Sequence, residues 1–296
     1  MALIEHTLFG KVDKVKVAVE RIKTFDPSQS EALVHLAPYY VAYSGGKDSD
    51  VLRILFELSG VKYDLVHNHT TVDAPETVYY IRSIPNIQIS MPEISMWDLI
   101  VKQRMPPTRT RKYCCKYLKE RGGVNRFVAT GVRWGESPRR KATRGLAEIY
   151  VPKKGEGLIL NADNHESRKM IESCITKGKR FLNPIVDWST ADVWEFLDVY
   201  GCKSNPLYEI KGRAGRVGCI GCPENSNRVA ELELYPKYKN LYIKAFDRMI
   251  EQCRTDGVGH EKDGIRAGYR TGEECFDWWV SDKAQAVDEN QMEMEF

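Results

Sequence analysis

The stretch that most constrains this chain runs from Tyr39 to Leu52, where an apolar run breaks into a glycine pair and then into a helical pattern. Tyr39-Tyr40-Val41-Ala42-Tyr43 is rich in aromatic residues, Ser44-Gly45-Gly46-Lys47-Asp48-Ser49 follows at once, and Val51, Leu52, Leu55 and Leu58 then recur at helical spacing. The order predicts strand, tight turn, helix. Such a junction is an anion site: the glycines let the backbone approach a ligand with no Cβ in the way, and the first N–H groups of the helix point at it along the helix dipole. Ser44, Ser49 and Lys47 add two hydroxyls and a cation. A plain glycine turn would account for Gly45-Gly46, but not for the polar set around it. The loop matches neither Gly-x-x-x-x-Gly-Lys-Ser/Thr nor Gly-x-Gly-x-x-Gly.

A chain of 296 residues can bury one large α/β core with a smaller appendage, or two modest domains. Its net charge of +3 gives no global field for nucleic acid, so any such contact must come from local clusters. No run of eighteen apolar residues occurs, and Met1 to Glu20 mixes charges throughout, which reads as a cytoplasmic protein with no membrane association. Eight cysteines in that setting point to metal or redox chemistry rather than to disulfides.

Apolar spacing predicts helices in an N-terminal segment, 1–37, ahead of the loop strand. Further strands are expected over 61–69, 87–90 and 127–132, with 180–188 extended. Helices are expected from Pro75, from Met96, over 165–178, from Ser189, over 231–253 and over 273–280, and the tail beyond Asp282 is polar. This is an α/β, doubly wound, mainly parallel sheet with a helical C-terminal appendage, divided into a loop domain over 38–200 and a cysteine-loop and helical region over 201–296.

In such a sheet, residues just past strand carboxyl ends line the ligand crevice, which puts Asp73 and Glu76 where they can meet a metal or a ribose. Pro75 and Glu76 fit the first turn of a helix equally well. Gly131 to Lys141 is the densest cationic loop; Arg133 and Arg140 are placed to grip phosphate or sulfate oxygens, a solvated basic loop being the plainer alternative. Cys114-Cys115 follows two prolines and three cations, and Cys219-Ile220-Gly221-Cys222 lies in a glycine-rich loop. Vicinal cysteines bridge each other poorly. As four thiolates at one centre, Cys114, Cys115, Cys219 and Cys222 suit tetrahedral zinc or a [4Fe–4S] cluster. Cys174, Cys202 and Cys253 read as core.

Taken together, Ser44–Ser49, Asp73–Thr77, Cys114-Cys115, Gly131–Arg140, Asn183-Pro184-Ile185-Val186-Asp187-Trp188, Asn205-Pro206-Leu207 and Gly218–Cys222 resemble the phosphoadenylyl-sulfate (PAPS) reductase family. That family belongs to the PP-loop ATP pyrophosphatase, or adenine nucleotide α-hydrolase-like, superfamily. The resemblance implies an adenine nucleotide, ATP or a sulfonucleotide, held with Mg²⁺ by Ser44, Gly45, Gly46, Lys47, Ser49, Arg133 and Arg140. It further implies Lys47, Asp48 and Asp73 at the reacting groups and a [4Fe–4S] cluster on the four cysteines. Two features depart from the reductases. Their C-terminal Glu-Cys-Gly-Leu-His is missing, Glu274-Cys275-Phe276-Asp277 being its nearest echo, and the loop is the unaltered form kept by ATP-using members such as tRNA thiolation enzymes. The expected activity is therefore ATP-dependent sulfur transfer through an adenylated acceptor. The alternatives are reduction of a sulfonucleotide to sulfite with Cys275 attacking, and a non-catalytic nucleotide-binding subunit with a structural cluster. The resemblance also admits a sulfur-donor protein, a nucleic-acid acceptor and a homo-oligomer.

Overall fold

Along Tyr39–Ala42 side chains alternate across the sheet: Tyr39 and Val41 enter the main hydrophobic core, while Tyr40 joins Val66 and Val128 in a smaller cluster. This strand, β3, sits at the centre of the fold in the computed structural model, which describes residues 3–8, 10–150, 157–161, 179–257 and 269–281. The helix expected over 165–178, Cys174 and the tail from 282 lie outside the described residues.

Two units alternate along the chain. The first comprises Met1–Asn68, Pro75–Ser90 and Gly122–Val217. It opens with β1 (Ile4–Thr7), β2 (Gly10–Asp13) and α1 (Lys14–Thr24), and continues with β3 (Tyr39–Ala42), α2 (Lys47–Ser59), β4 (Tyr63–Asn68), α3 (Pro75–Arg82) and β5 (Ile87–Ser90). After its second entry come β6 (Phe127–Ala129), α5 (Pro138–Thr143), β7 (Ala147–Tyr150), β8 (Gly157–Leu160), β9 (Lys179–Leu182), α6 (Thr190–Val199) and α7 (Leu207–Lys211). The sheet order is β5-β4-β3-β6-β9-β7-β8, parallel from β5 to β9, with β7 antiparallel to both β9 and β8. From β3 the chain winds outward through β4 to β5, then resumes on the other side of β3 with β6. That reversal between β3 and β6 is where doubly wound sheets open their ligand crevice. Trp188, Phe196, Phe56 and Phe127 are fully buried in the core of this unit.

The second unit comprises His69–Ala74, Met91–Arg121 and Gly218–Phe296. Its helices are α4 (Met96–Gln103), α8 (Arg228–Leu234), α9 (Pro236–Thr255) and α10 (Gly272–Val280), with α9 packed on α4 and α10. Aromatic rings fill its interior: Tyr242 lies 5.0 Å from Trp97 and 4.7 Å from Trp279, and Phe246 lies 5.4 Å from Trp279.

Two expectations are corrected. Residues 1–37 are not helical throughout, because Gly10, at φ +121°, turns β1 back on β2 and the Asp13 carboxylate accepts from Val15 N and Lys16 N, so that helix begins only at Lys14. Nor does one cut near residue 200 divide the chain. Met91–Arg121, which carries the vicinal cysteines, groups with Gly218–Phe296, whereas 201–217 stays with the sheet. Composition carries no mark of this, since interleaving depends on which segments pack together.

Candidate nucleotide loop and cysteine centre

Gly45 makes the loop possible. It adopts φ +74°, and a Cβ there would meet Ile81 Cγ1 at 3.0 Å, Ile81 Cδ1 at 3.1 Å and Thr77 Cγ2 at 3.2 Å, so the backbone lies directly against α3. Asn205 fixes this contact, its amide donating to both Gly45 O and Thr77 Oγ1 at 3.0 Å. The first turn of α2 is capped from within: Gly46 N donates to Ser49 Oγ (3.1 Å), and Ser49 Oγ donates to Gly46 O (2.7 Å). Lys47 N donates to the Tyr208 hydroxyl at 3.0 Å, and Ser44 Oγ lies 3.3 Å from Ser49 Oγ. The cradle thus gathers backbone N–H groups, three hydroxyls and the Lys47 ammonium at the amino end of a thirteen-residue helix.

Asp48 is held by two cations, with Lys47 Nζ on Oδ2 at 2.8 Å and Arg133 Nε on Oδ1 at 2.7 Å. Arg133 is 1% exposed and also donates to Trp188 O and Thr190 Oγ1, so its guanidinium ties the loop after β6 to Asp48 and to the turn between β9 and α6 rather than facing an open crevice. Gly131 permits this approach, since a Cβ there would sit 3.0 Å from both Asp48 Cβ and Asp48 O. Arg140 is half-exposed and paired with Glu136. The Asn183–Trp188 segment is scaffolding for that loop: Asn183 accepts from Thr130 Oγ1, and Trp134 N donates to Val186 O at 2.7 Å. The structure therefore brings Ser44, Gly45, Gly46, Lys47, Asp48, Ser49 and Arg133 together, and adds Tyr208 and Asn205. The only sequence sign of these two is the Asn-Pro-Leu-Tyr run after α6.

The four cysteines converge within the second unit. Arg109 Nε donates to Pro223 O at 3.0 Å and Lys112 pairs with Glu224 at 2.8 Å, which ties the segment of Cys114 and Cys115 to that of Cys219 and Cys222. Cys115 opens a π-helical turn over Cys115–Lys119. In the Cys-Ile-Gly-Cys knuckle, Gly221 takes φ +69°, and a Cβ there would touch Tyr242 at 3.0 Å and Trp279 at 3.1 Å. Its N–H donates to Glu231 Oε2 (3.1 Å), and the Tyr242 hydroxyl donates to Ile220 O (2.9 Å). Hydrogen bonding between the vicinal thiols holds Cys115 down to about 6 and Cys114 well above its ordinary range, and Cys219 and Cys222 both act on Cys114 electrostatically. Burial pushes Cys219 up to about 11 against the pull of Lys119, whose own pKa is raised, chiefly by Cys219. Cys114 thus feels all three other thiols, and four soft donors in one unit with an adjacent cation suit an anionic four-thiolate metal centre.

Asp73 belongs to this unit rather than to that of the loop. Its carboxylate accepts from Thr70 N at 2.8 Å and pairs with His69 Nδ1 at 3.1 Å, and its backbone bridges Cys219. Cys275 is fully buried in α10, and burial, then Asp247 and Cys253, pushes its thiol up to about 12. It is not placed to act as a thiolate. Cys275→Ser is expected to keep iron content and turnover within about twofold while lowering stability by about 1–3 kcal/mol, the usual cost of a poorly paired buried hydroxyl. Abolished sulfite production with the iron retained would reverse that assignment.

A family profile described as phosphoadenosine phosphosulfate reductase domain matches residues 38–225. An uncharacterized protein of Methanocaldococcus jannaschii is 25% identical over 243 residues, which is 77% of this chain and 50% of that protein. An adenosine 5'-phosphosulfate reductase of Burkholderia cepacia is 27% identical over 112 residues, 38% of this chain and 36% of the enzyme. The chain thus spans half or less of these curated relatives. Among solved structures, the U34-tRNA thiolase of Methanococcus maripaludis with its [4Fe–4S] cluster aligns with a TM-score of 0.42 at 12% identity, covering 95% of this chain and 94% of the thiolase. No helix among the described residues is long and apolar enough to cross a membrane.

Proposed function

This chain belongs to the phosphoadenosine phosphosulfate reductase domain family, and from that premise we propose that it is a cytoplasmic PP-loop enzyme that spends ATP on sulfur transfer to an adenylated acceptor. The observation that carries the reading is the loop itself: an unaltered Ser-Gly-Gly-Lys-Asp-Ser at the β3/β6 switch point, with Gly45 turned at φ +74° against α3 and the Lys47 ammonium at the amino end of α2. The burial of Cys275 favours transfer over sulfonucleotide reduction, because reduction by that route needs an accessible thiolate.

In this scheme an acceptor oxygen attacks the α-phosphorus of ATP and the bond to the bridging β-phosphate oxygen breaks. Pyrophosphate leaves with the electron pair, and a sulfur nucleophile then displaces AMP. Lys47, the loop N–H groups and Mg²⁺ carried in on the nucleotide offset charge on the departing pyrophosphate. Arg133 keeps Asp48 engaged, which leaves the Lys47 ammonium two further donors for phosphate oxygens. Cys114, Cys115, Cys219 and Cys222 would hold the [4Fe–4S] cluster, which supplies a redox-active iron centre for handling sulfur.

Anaerobically purified protein is expected to release pyrophosphate from ATP when acceptor and sulfur donor are supplied, and to release no sulfite from adenylyl sulfate with a thiol reductant. Sulfite without pyrophosphate would replace this reading with the reductase one. Nucleotide binding with neither product would leave a binding subunit.

A further inference from the structure

Beneath the loop lies a carboxylate with no part in the chemistry above. Asp50, in the first turns of α2, is 0% exposed. Its Oδ1 accepts from the Tyr43 hydroxyl at 2.5 Å and from the Tyr80 hydroxyl at 2.9 Å, while its Oδ2 has no hydrogen-bond partner among the described residues. The two tyrosines occupy telling positions. Tyr43 leads directly into Ser44, and its carbonyl is bonded by His67 Nδ1 at 3.0 Å. Tyr80 lies on α3, the helix whose Thr77 and Ile81 form the floor under Gly45. Asp50 thus joins the strand entering the loop, the helix leaving it and the helix supporting it.

We propose that Asp50 is a positioning residue for the nucleotide loop: its ionised carboxylate clamps Tyr43 and Tyr80 so that the loop holds its binding shape, and protonation releases the clamp. The inference rests on the loop being the nucleotide cradle. Charge is what makes the clamp strong, since a hydrogen bond to a carboxylate is roughly twice as strong as one to a neutral acceptor. A proton arriving on Oδ2 would weaken both tyrosine bonds and create a buried donor with nothing to meet. A carboxylate with one oxygen unpartnered in the interior is a costly choice for structure alone. The groups facing Asp50 are Tyr43 at the end of β3, Tyr80 on α3, Arg53 and Asp48 on α2, Cys202 after α6 and Tyr208 on α7. Burial raises the Asp50 pKa to about 6, against the tyrosine hydrogen bonds and Arg53, which lower it. Arg53, Tyr80 and Cys202 also line a surface cleft of about 600 Å³, which gives protons a short route to the clamp.

The test needs no turnover. Hydrogen–deuterium exchange of the 45–49 amides, corrected for intrinsic pH dependence, is followed from pH 5 to pH 8 in nucleotide-free wild type and Asp50→Asn. A carboxyl titrating near pH 6 is about nine-tenths protonated at pH 5, so wild-type protection is expected to fall about tenfold between pH 7.5 and pH 5, while the variant stays flat. ATP affinity of wild type, divided by that of the variant at each pH to cancel titration of the nucleotide, should follow the same curve. Parallel exchange profiles in the two proteins overturn the clamp. A titrating loop with a flat affinity ratio overturns its link to nucleotide while leaving the clamp, and failure of both proteins to bind ATP strikes at the functional reading as well. If Asp50→Asn does not fold, Tyr80→Phe decides: with one donor gone the midpoint must move to higher pH, and an unmoved midpoint overturns the proposal.

Discussion

Serine at position 219 or 222 is expected to strip the protein of iron. Anaerobically prepared wild type should be brown and carry about four irons per chain, as a cubane on four cysteines requires, and Cys219→Ser or Cys222→Ser should be colourless with iron near background. The effect is large because both thiols sit in one knuckle whose turn is pinned by Gly221 N to Glu231, by Tyr242 to Ile220 O and by Arg109 to Pro223 O, so the backbone holds the replaced side chain in place rather than adjusting around its loss. A serine hydroxyl is also a far poorer soft-metal donor than a thiolate. Colourless wild type holding one zinc would sink the cluster while leaving the convergence of the four thiols intact.

Lys47→Ala should weaken ATP binding by about 10- to 100-fold, the equivalent of losing a charge-assisted contact of about 1.5–3 kcal/mol. Thermal stability should barely change. Lys47 Nζ contacts only one oxygen of Asp48, and the other stays bonded to Arg133, so removing the ammonium leaves no orphaned charge. Gly45→Val is the contrasting case. A side chain at φ +74°, pressed within 3.0–3.2 Å of Ile81 and Thr77, should lower affinity and stability together. Isothermal titration with scanning calorimetry separates the two outcomes, and unchanged ATP affinity in Lys47→Ala would take the loop out of the binding site.

The sequence makes the centre of the fold legible because periodicity there is unmixed. The apolar run of Tyr39–Ala42, the helical spacing from Val51 and the alternation of Ile87–Ser90 each encode a single element. The two cysteine pairs are legible for another reason, since thiol spacing is chemical and survives any packing. Arg133 is harder: in a basic loop a guanidinium reads the same whether it faces a phosphate or is spent, 1% exposed, on Asp48 and Trp188 O. Asp50 carries no sequence sign of its burial, which shows only in its bonds to the tyrosines at 43 and 80. The antiparallel pair β7 and β8 is short and follows a cation-rich loop, so local pattern offers little sign of it.

The interleaving of the two units has a consequence for how the protein comes into being. Cys115 and Cys219 are separated by 103 residues (219 minus 115, less one), so during synthesis the first thiol pair waits for most of the sheet to emerge before its partners exist. Loading of a cluster on the four cysteines would then be a late event, and once in place it would work as a staple. By the chain-statistics estimate, closing a loop of about 100 residues costs on the order of 4 kcal/mol of entropy, which a preformed metal bridge removes from the unfolded state. Loss of iron would therefore loosen the cysteine unit more than the sheet, and cleavage by a protease would start between Gly218 and the α9/α10 pair, making oxidative damage to the centre a signal for disposal of the whole chain.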